Sequence, residues 1–280
     1  MPTIEKPQQL ADIEEASIRE ENEIRPYLTV DMDKELIKND SFNPETKYSD
    51  EFYEDYIANF KQSPKKKIFY KAVKRGFDFL ASLLALIILS PFFLIIAIAI
   101  KIDDPKGPVF FRQKRMGKNG KVFNCVKFRS MRTDAPHDQA TSVFEHPELF
   151  YTKVGRFLRK TSIDELPQLW CCFTGKMSLI GPRPLVLSEE NCNNMRLKLG
   201  ALRMRPGITG YAQVHGRDSV YYKNKALLDA EYANRASCLF DLKIVFHSVY
   251  VVFSRKGNDT KVNPKDIETE EVTEEALIKE

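Results

Sequence analysis

The chain has 280 residues, 43% of them hydrophobic and 29% charged, which is enough apolar material for a packed core and too much for a wholly disordered polypeptide. Its net charge of +4 hides segregation: residues 1–60 carry 16 acidic and 6 basic side chains, residues 259–280 carry 8 and 3, and the stretch between stands at +19, so the middle calls for an anionic partner such as phosphate groups, lipid headgroups or nucleic acid. Five cysteines without a CxxC pair, and no histidine at metal-ligand spacing, predict reduced thiols in cytoplasmic surroundings and argue against a zinc site.

Residues 1–64 are rich in Glu, Asp and Asn and read as an acidic, partly disordered extension, with short amphipathic pieces around Leu10–Ile24 and Phe52–Phe60. The polar, acidic start is not that of a secretory signal peptide. Residues 65–106 form the next unit. Lys65 to Arg75 alternates cations with aromatics, as suits the headgroup layer of an anionic membrane. Phe79–Ile100 then runs 22 residues without a charge, about 33 Å as an α-helix, which is enough to cross a bilayer and disfavours nucleic acid as the partner. Ser90-Pro91 interrupts this run, and proline removes a helix hydrogen bond. The Ser90 hydroxyl is placed to satisfy a freed carbonyl. Lysines and arginines flank both sides, so charge gives no direction of insertion. A helix that enters, bends at Ser90-Pro91 and returns fits these residues, as does a kinked spanning helix.

Residues 107–255 form the third unit. Val109–Met116 and Lys121–Arg129 are β-prone and joined by the turn signal Gly117-Lys-Asn-Gly120, which predicts a basic hairpin. Lys127 and Arg129 stand two apart, so both belong on one strand face. Val154–Lys160 reads as a short basic helix leading to Asp164-Glu165, with Ser162 placed to cap a helix whose first turn holds both acids. Adjacent carboxylates beside Arg156, Arg159 and Lys160 suit a divalent metal next to a nucleophile. Arg183 lies between Pro182 and Pro184, a pre-ordered cation for a phosphate or pyrophosphate. A helix is expected from about Ser188 to Leu202. In the loop that follows, Gly207 and Gly210 would let backbone approach a ligand, with Arg205, Gln213 and Arg217 as phosphate, uracil or sugar contacts. Asp229–Ala236 reads as helical, Leu239–Phe253 as a helix on the membrane surface, and residues 256–280 as an acidic disordered tail.

Several motifs together carry a resemblance: Lys74-Arg-Gly-Phe-Asp78, Gly107-Pro-Val-Phe-Phe-Arg-Gln113, Lys127-Phe-Arg-Ser-Met131, Asp164-Glu-Leu-Pro-Gln-Leu-Trp170, Met177-Ser-Leu-Ile-Gly-Pro-Arg-Pro184 and Pro206-Gly-Ile-Thr-Gly210. Over roughly residues 68–255 the chain resembles the bacterial sugar transferase family, the monotopic polyprenyl-phosphate phosphoglycosyl transferases, in their small form without an N-terminal bundle of spanning helices. It departs from the family's usual residues at Cys171-Cys172, Lys176 and Tyr211, which bears on sugar preference. The resemblance implies an α+β, membrane-associated fold with a re-entrant helix broken at Ser90-Pro91, on the cytoplasmic face of the bacterial inner membrane. It implies transfer of sugar-1-phosphate from a UDP-sugar to undecaprenyl phosphate with release of UMP, an early membrane step of glycan assembly. Asp164 would be the nucleophile that forms a phosphosugar-aspartyl intermediate, and Asp164 with Glu165 would hold Mg2+. Lys127, Arg129, Arg159, Arg183, Arg205, Gln213 and Arg217 are the expected phosphate and substrate contacts. A homodimer and downstream glycosyltransferases are expected partners beside the two substrates, with no nucleic acid. A non-catalytic scaffold on the same fold and a UDP-releasing glycosyltransferase are the alternatives.

Overall fold

The computed structural model describes residues 46–61, 68–136, 146–215 and 220–254. The Leu10–Ile24 piece, the acidic tail and Arg217 lie outside them. The chain divides into two units, one of which contains helix α1 (Asp50–Asn59), capped by the Ser49 hydroxyl, which accepts from the Phe52 amide at 3.2 Å. The other begins with α2 (Ile68–Asp103), a 36-residue helix of about 54 Å. Among the described residues it alone is long and apolar enough to cross a membrane.

α2 is fastened near both of its ends to the same body. Toward its start, Arg75 donates to the carbonyls of Cys172 (2.7 Å) and Phe173 (2.8 Å), Asp78 Oδ1 accepts from the Leu179 amide at 3.0 Å, and Phe79 stacks on Phe173. Toward its end, Phe93 meets Phe128 edge-on, Ile96 and Ile100 pack with Phe128 and Leu158, and Asp103 Oδ2 accepts from the Val154 amide at 2.8 Å. The turns between carry their apolar side chains outward, Ile88 being 73% exposed and Ile95 62%. Helical structure continues through Pro91. That proline has no N–H for the Ile87 carbonyl, and the Ser90 hydroxyl donates to that carbonyl at 2.8 Å in its stead.

The expected hairpin forms: β1 (Phe110–Met116) pairs antiparallel with β2 (Val122–Phe128), Gln113 opposite Cys125, and Asn119 and Gly120 take the positive φ that the turn needs. α3 (Lys153–Lys160) and α4 (Gln168–Phe173) follow, α3 being capped by Thr152, whose hydroxyl accepts from the Gly155 amide. β3 (Ser178–Ile180) pairs in parallel with β4 (Gly207–Thr209), and α5 (Glu190–Lys198) lies between them in sequence. Here one expectation is corrected. Gly207 and Gly210 serve chain crossing rather than ligand approach: a Cβ on either would stand 2.1 Å from the backbone of Gly181.

The C-terminal helices are α6 (Tyr211–Val214), α7 (Tyr222–Arg235) and α8 (Cys238–Ser254). α7 starts seven residues earlier than the sequence suggested. On α8, Leu239, Leu242, Phe246, Val249 and Tyr250 face outward, while Asp241 and Ile244 face inward. Asp241 ties α8 to α2 and α7, accepting from Lys74 Nζ (2.7 Å), Tyr70 (2.9 Å) and Tyr232 (2.8 Å). All five cysteines are free thiols, and all but Cys238 are buried.

Candidate active site

The acidic pair lies on a single 3-10 turn, Ile163–Glu165, between α3 and α4. The expected Ser162 cap does not form: Ser162 takes a left-handed conformation (φ 57°) and makes no capping side-chain bond. That conformation ends α3 and begins the turn that carries the two carboxylates.

Glu165 faces cations. Its Oε1 accepts from Lys127 Nζ at 2.7 Å and from Arg183 Nη2 at 3.0 Å, and Oε2 has only a 3.5 Å contact with Arg183 Nη1. Burial would raise its pKa, but Arg183 and Lys127 outweigh that and hold the carboxyl well below the usual glutamate range. Asp164 is the reverse case. It is 5% exposed and makes no ion pair among the described residues. Burial pushes its carboxyl above the ordinary aspartate value; Lys127, Arg159 and Arg183 oppose this and Glu165 adds to it. Adjacent carboxylates with pKa values driven apart are a pattern of sites where two acids have two tasks.

Around Glu165 lies a shallow cleft lined by Arg115, Lys127, Gln168 and Arg183. Lys127 comes from β2, and the antiparallel register sets Gln113, Arg115 and Cys125 on the same hairpin face. Arg183 comes from the turn after β3. Its backbone is held from two sides: Arg115 Nη1 donates to the Pro184 carbonyl and Arg196 Nη1 to the Arg183 carbonyl, both at 2.8 Å. Arg196 in turn pairs with Asp229, each side chain being 1% exposed.

Of the residues singled out in the sequence, the structure gathers Glu165, Lys127 and Arg183, with Asp164 and Arg159 within electrostatic reach of them. Arg159 stacks over the Tyr151 ring at 4.8 Å. Others point elsewhere. β2 ends at Phe128, so the two-residue spacing does not carry Arg129 onto the face of Lys127; its Nε donates to the Pro108 carbonyl at 2.9 Å. Arg205 Nε donates to the Gly175 carbonyl at 3.0 Å in a separate cleft, and Gln213 Nε2 to the Ile208 carbonyl at 2.9 Å. Arg115 and Gln168 were passed over in the sequence. Alternation along β1 was the available signal for Arg115, because Gln113 and Arg115 fall on the hairpin face that carries Cys125 and Lys127.

The sequence model of the bacterial sugar transferase family matches residues 69–255. An exopolysaccharide production protein ExoY of Sinorhizobium fredii is 37% identical over 199 residues, which cover 66% of this chain and 87% of that protein. An undecaprenyl-phosphate glucose phosphotransferase of Komagataeibacter xylinus is 40% identical over 197 residues. A UDP-glucose:undecaprenyl-phosphate glucose-1-phosphate transferase of Escherichia coli is 39% identical over 194. The matched parts cover 66% and 67% of this chain, but only 36% and 41% of those two longer proteins. With two thirds of its length matched and the motifs at the candidate site inside the match, the chain belongs to the bacterial sugar transferase family.

Proposed function

We propose that this chain transfers a sugar-1-phosphate from a UDP-sugar to undecaprenyl phosphate and releases UMP, with Asp164 as the nucleophile. The observation that carries the reading is the division of labour between neighbours: Glu165 is occupied by Lys127 and Arg183, whereas Asp164 is desolvated and without an ion pair among the described residues. A carboxylate with little hydration to lose is suited to attack phosphorus. One Asp164 oxygen would bond to the sugar-bearing phosphorus as the bond from that phosphorus to the bridging oxygen breaks, and UMP leaves with that oxygen. An oxygen of undecaprenyl phosphate then bonds to the same phosphorus, and the Asp164 carboxylate is released. Lys127, Arg159 and Arg183 face charge that builds on the leaving phosphate, and Arg183 offers a fork rather than a point charge.

Mg2+ fits these residues as a shared ligand rather than an enclosed one. Among the described residues no group of three or more His, Cys, Asp or Glu side chains is suited to hold a metal. Mg2+ is commonly held by one or two carboxylates together with substrate phosphates and water. Asp164 and the lightly engaged Glu165 Oε2 are the groups available to it. Such an ion supplies charge neutralisation between a carboxylate and a pyrophosphate.

We further read α2 as re-entrant, entering and leaving one face of the bacterial inner membrane, with the body on the cytoplasmic side. Its attachment near both ends to one body supports this, since a crossing helix would leave the groups fastened to Arg75 and to Asp103 on opposite sides of the bilayer. The outward apolar row of α8 offers a further surface suited to the membrane. Single-cysteine labels placed just before and just after α2 should react from the same side of sealed vesicles; labels on opposite sides would overturn the topology.

The test of the reaction is nucleotide release from UDP-glucose and UDP-galactose with Mg2+ and undecaprenyl phosphate. UMP from one donor, lost in Asp164→Asn, is expected. UDP would assign an ordinary glycosyltransferase, and undiminished UMP release in Asp164→Asn would remove Asp164 as nucleophile.

A further inference from the structure

Gln168 is the first residue of α4 and lines the cleft around Glu165. It is only 2% exposed, yet among the described residues its side-chain amide has no hydrogen-bond partner. Buried amides are almost always paired. Asp104 Oδ2, Asn193 Oδ1, Arg196 Nε and Asp229 Oδ1 are the sealed polar side-chain atoms without a partner among the described residues. The Gln168 amide differs from these, because solvent still touches it from the cleft.

The amide is also firmly placed. Gln168, Cys171 and Cys172 stand at i, i+3 and i+4 on one face of α4, and the two cysteines pack with Cys125 and Met177. Arg75 holds the carbonyls at the far end of the helix. At the near end the Leu166 amide donates to the Ile163 carbonyl at 3.1 Å and the Leu169 amide to the Leu166 carbonyl at 3.0 Å. The acidic turn therefore runs into α4 through bonded backbone.

The neighbours of the amide are engaged with one another. Glu165 Oε1 accepts from Lys127 and Arg183, and Gln113 Oε1 and the Pro184 carbonyl accept from Arg115. Gln168 bonds to none of them. Three cations line this floor against one carboxylate, so a ligand that completes the amide brings negative charge and acceptor oxygens, as a phosphate does. The cleft is too shallow to enclose a nucleotide, but a phosphate resting on it presents an oxygen to each donor. Asp164 is not part of its lining. This floor accordingly suits the phosphate that departs rather than the one under attack.

We propose that Gln168 binds the leaving group: its Nε2–H donates to a non-bridging phosphate oxygen of UMP, beside Lys127 and Arg183. The inference rests on the reading that the protein releases UMP, and it adds to that reading a neutral donor that does not increase the repulsion among the cations.

The experiment is isothermal titration calorimetry of UMP, with Mg2+, into the full chain in detergent. The wild type should bind UMP. Gln168→Met, similar in size, should weaken binding about tenfold or more, the worth of a hydrogen bond to a charged acceptor. Its melting temperature should not fall, because the amide gives up no partner among the described residues. Gln168→Glu keeps the size and an acceptor oxygen but loses the N–H, and should weaken binding at least as much. Equal affinity in the wild type and Gln168→Met would leave the amide to water and overturn the proposal. Retained binding in Gln168→Glu would make the group an acceptor and overturn it as well. Weaker binding accompanied by a lowered melting temperature in both variants would reduce Gln168 to a packing residue. A wild type that does not bind UMP would remove the reading of UMP release itself, and this inference with it.

Discussion

The Arg196–Asp229 and Arg183–Glu165 pairs are joined through one hydrogen bond, from Arg196 to the Arg183 carbonyl, yet they stand in different solvents. The first is closed, with both side chains 1% exposed and with Asp229 Oδ1 and Arg196 Nε left without a hydrogen-bond partner among the described residues. The second is open, with Arg183 30% and Glu165 16% exposed. A closed pair has no room for a ligand, so its effect is to fix the backbone that it touches. An open pair holds cations ready at a cleft while keeping them reachable. Of the two arginines, the buried one therefore positions and the exposed one binds.

Asp164→Asn should have the largest effect on turnover, lowering UMP release about 10³-fold or more. It should not lower the melting temperature, because burial already disfavours the charged form of Asp164. Asp229→Asn should reverse that profile: it strands the buried Arg196 charge and should destabilise the fold by about 3–5 kcal/mol in chemical denaturation. If it lowers turnover without lowering stability, the contrast between the closed and the open pair fails. Glu165→Gln frees Lys127 and Arg183 without stranding them in the interior, so its cost in stability should be about 1 kcal/mol, with UMP release down about tenfold or more.

The pH dependences should differ in sign. Glu165, with its pKa lowered by folding, adds stability that is complete above its ordinary value of 4.5 and is lost only as pH falls through the much lower folded value. Asp164, with its pKa raised, opposes folding at neutral pH, and protonation as pH falls relieves that cost. Activity is expected to fail first on acidification, at a pH above the usual aspartate value of 3.8, while the fold persists. A pH titration of UMP release beside circular dichroism reads both; coincident loss would count against this separation.

Much of this was legible in the chain. The hairpin followed from β-prone runs around Gly117–Gly120, and Arg183 from its two prolines, because both are local signals. The opposite fates of Asp164 and Glu165 were not, since they depend on Lys127 arriving from 38 residues away and on the turn at Ser162. Arg129 and Arg205 were misdirected for a related reason. A cation near a motif is a candidate ligand in sequence, but where a strand ends and which carbonyl is free decide its direction. The glycines of the 205–210 segment were read as room for a ligand when the room is filled by the backbone of Gly181, a contact between segments far apart in sequence.

The Ser90 hydroxyl on the Ile87 carbonyl makes positions 90 and 91 a single heritable unit. With Pro91 present and α2 in the membrane as proposed, loss of the hydroxyl leaves a carbonyl bare in hydrocarbon, a cost of about 1–3 kcal/mol. Replace the proline first and a backbone N–H returns to that carbonyl, after which the hydroxyl is dispensable. The order of substitution thus decides whether the same two changes are harmful or neutral, and lineages of this helix should lose the proline before, or together with, the serine.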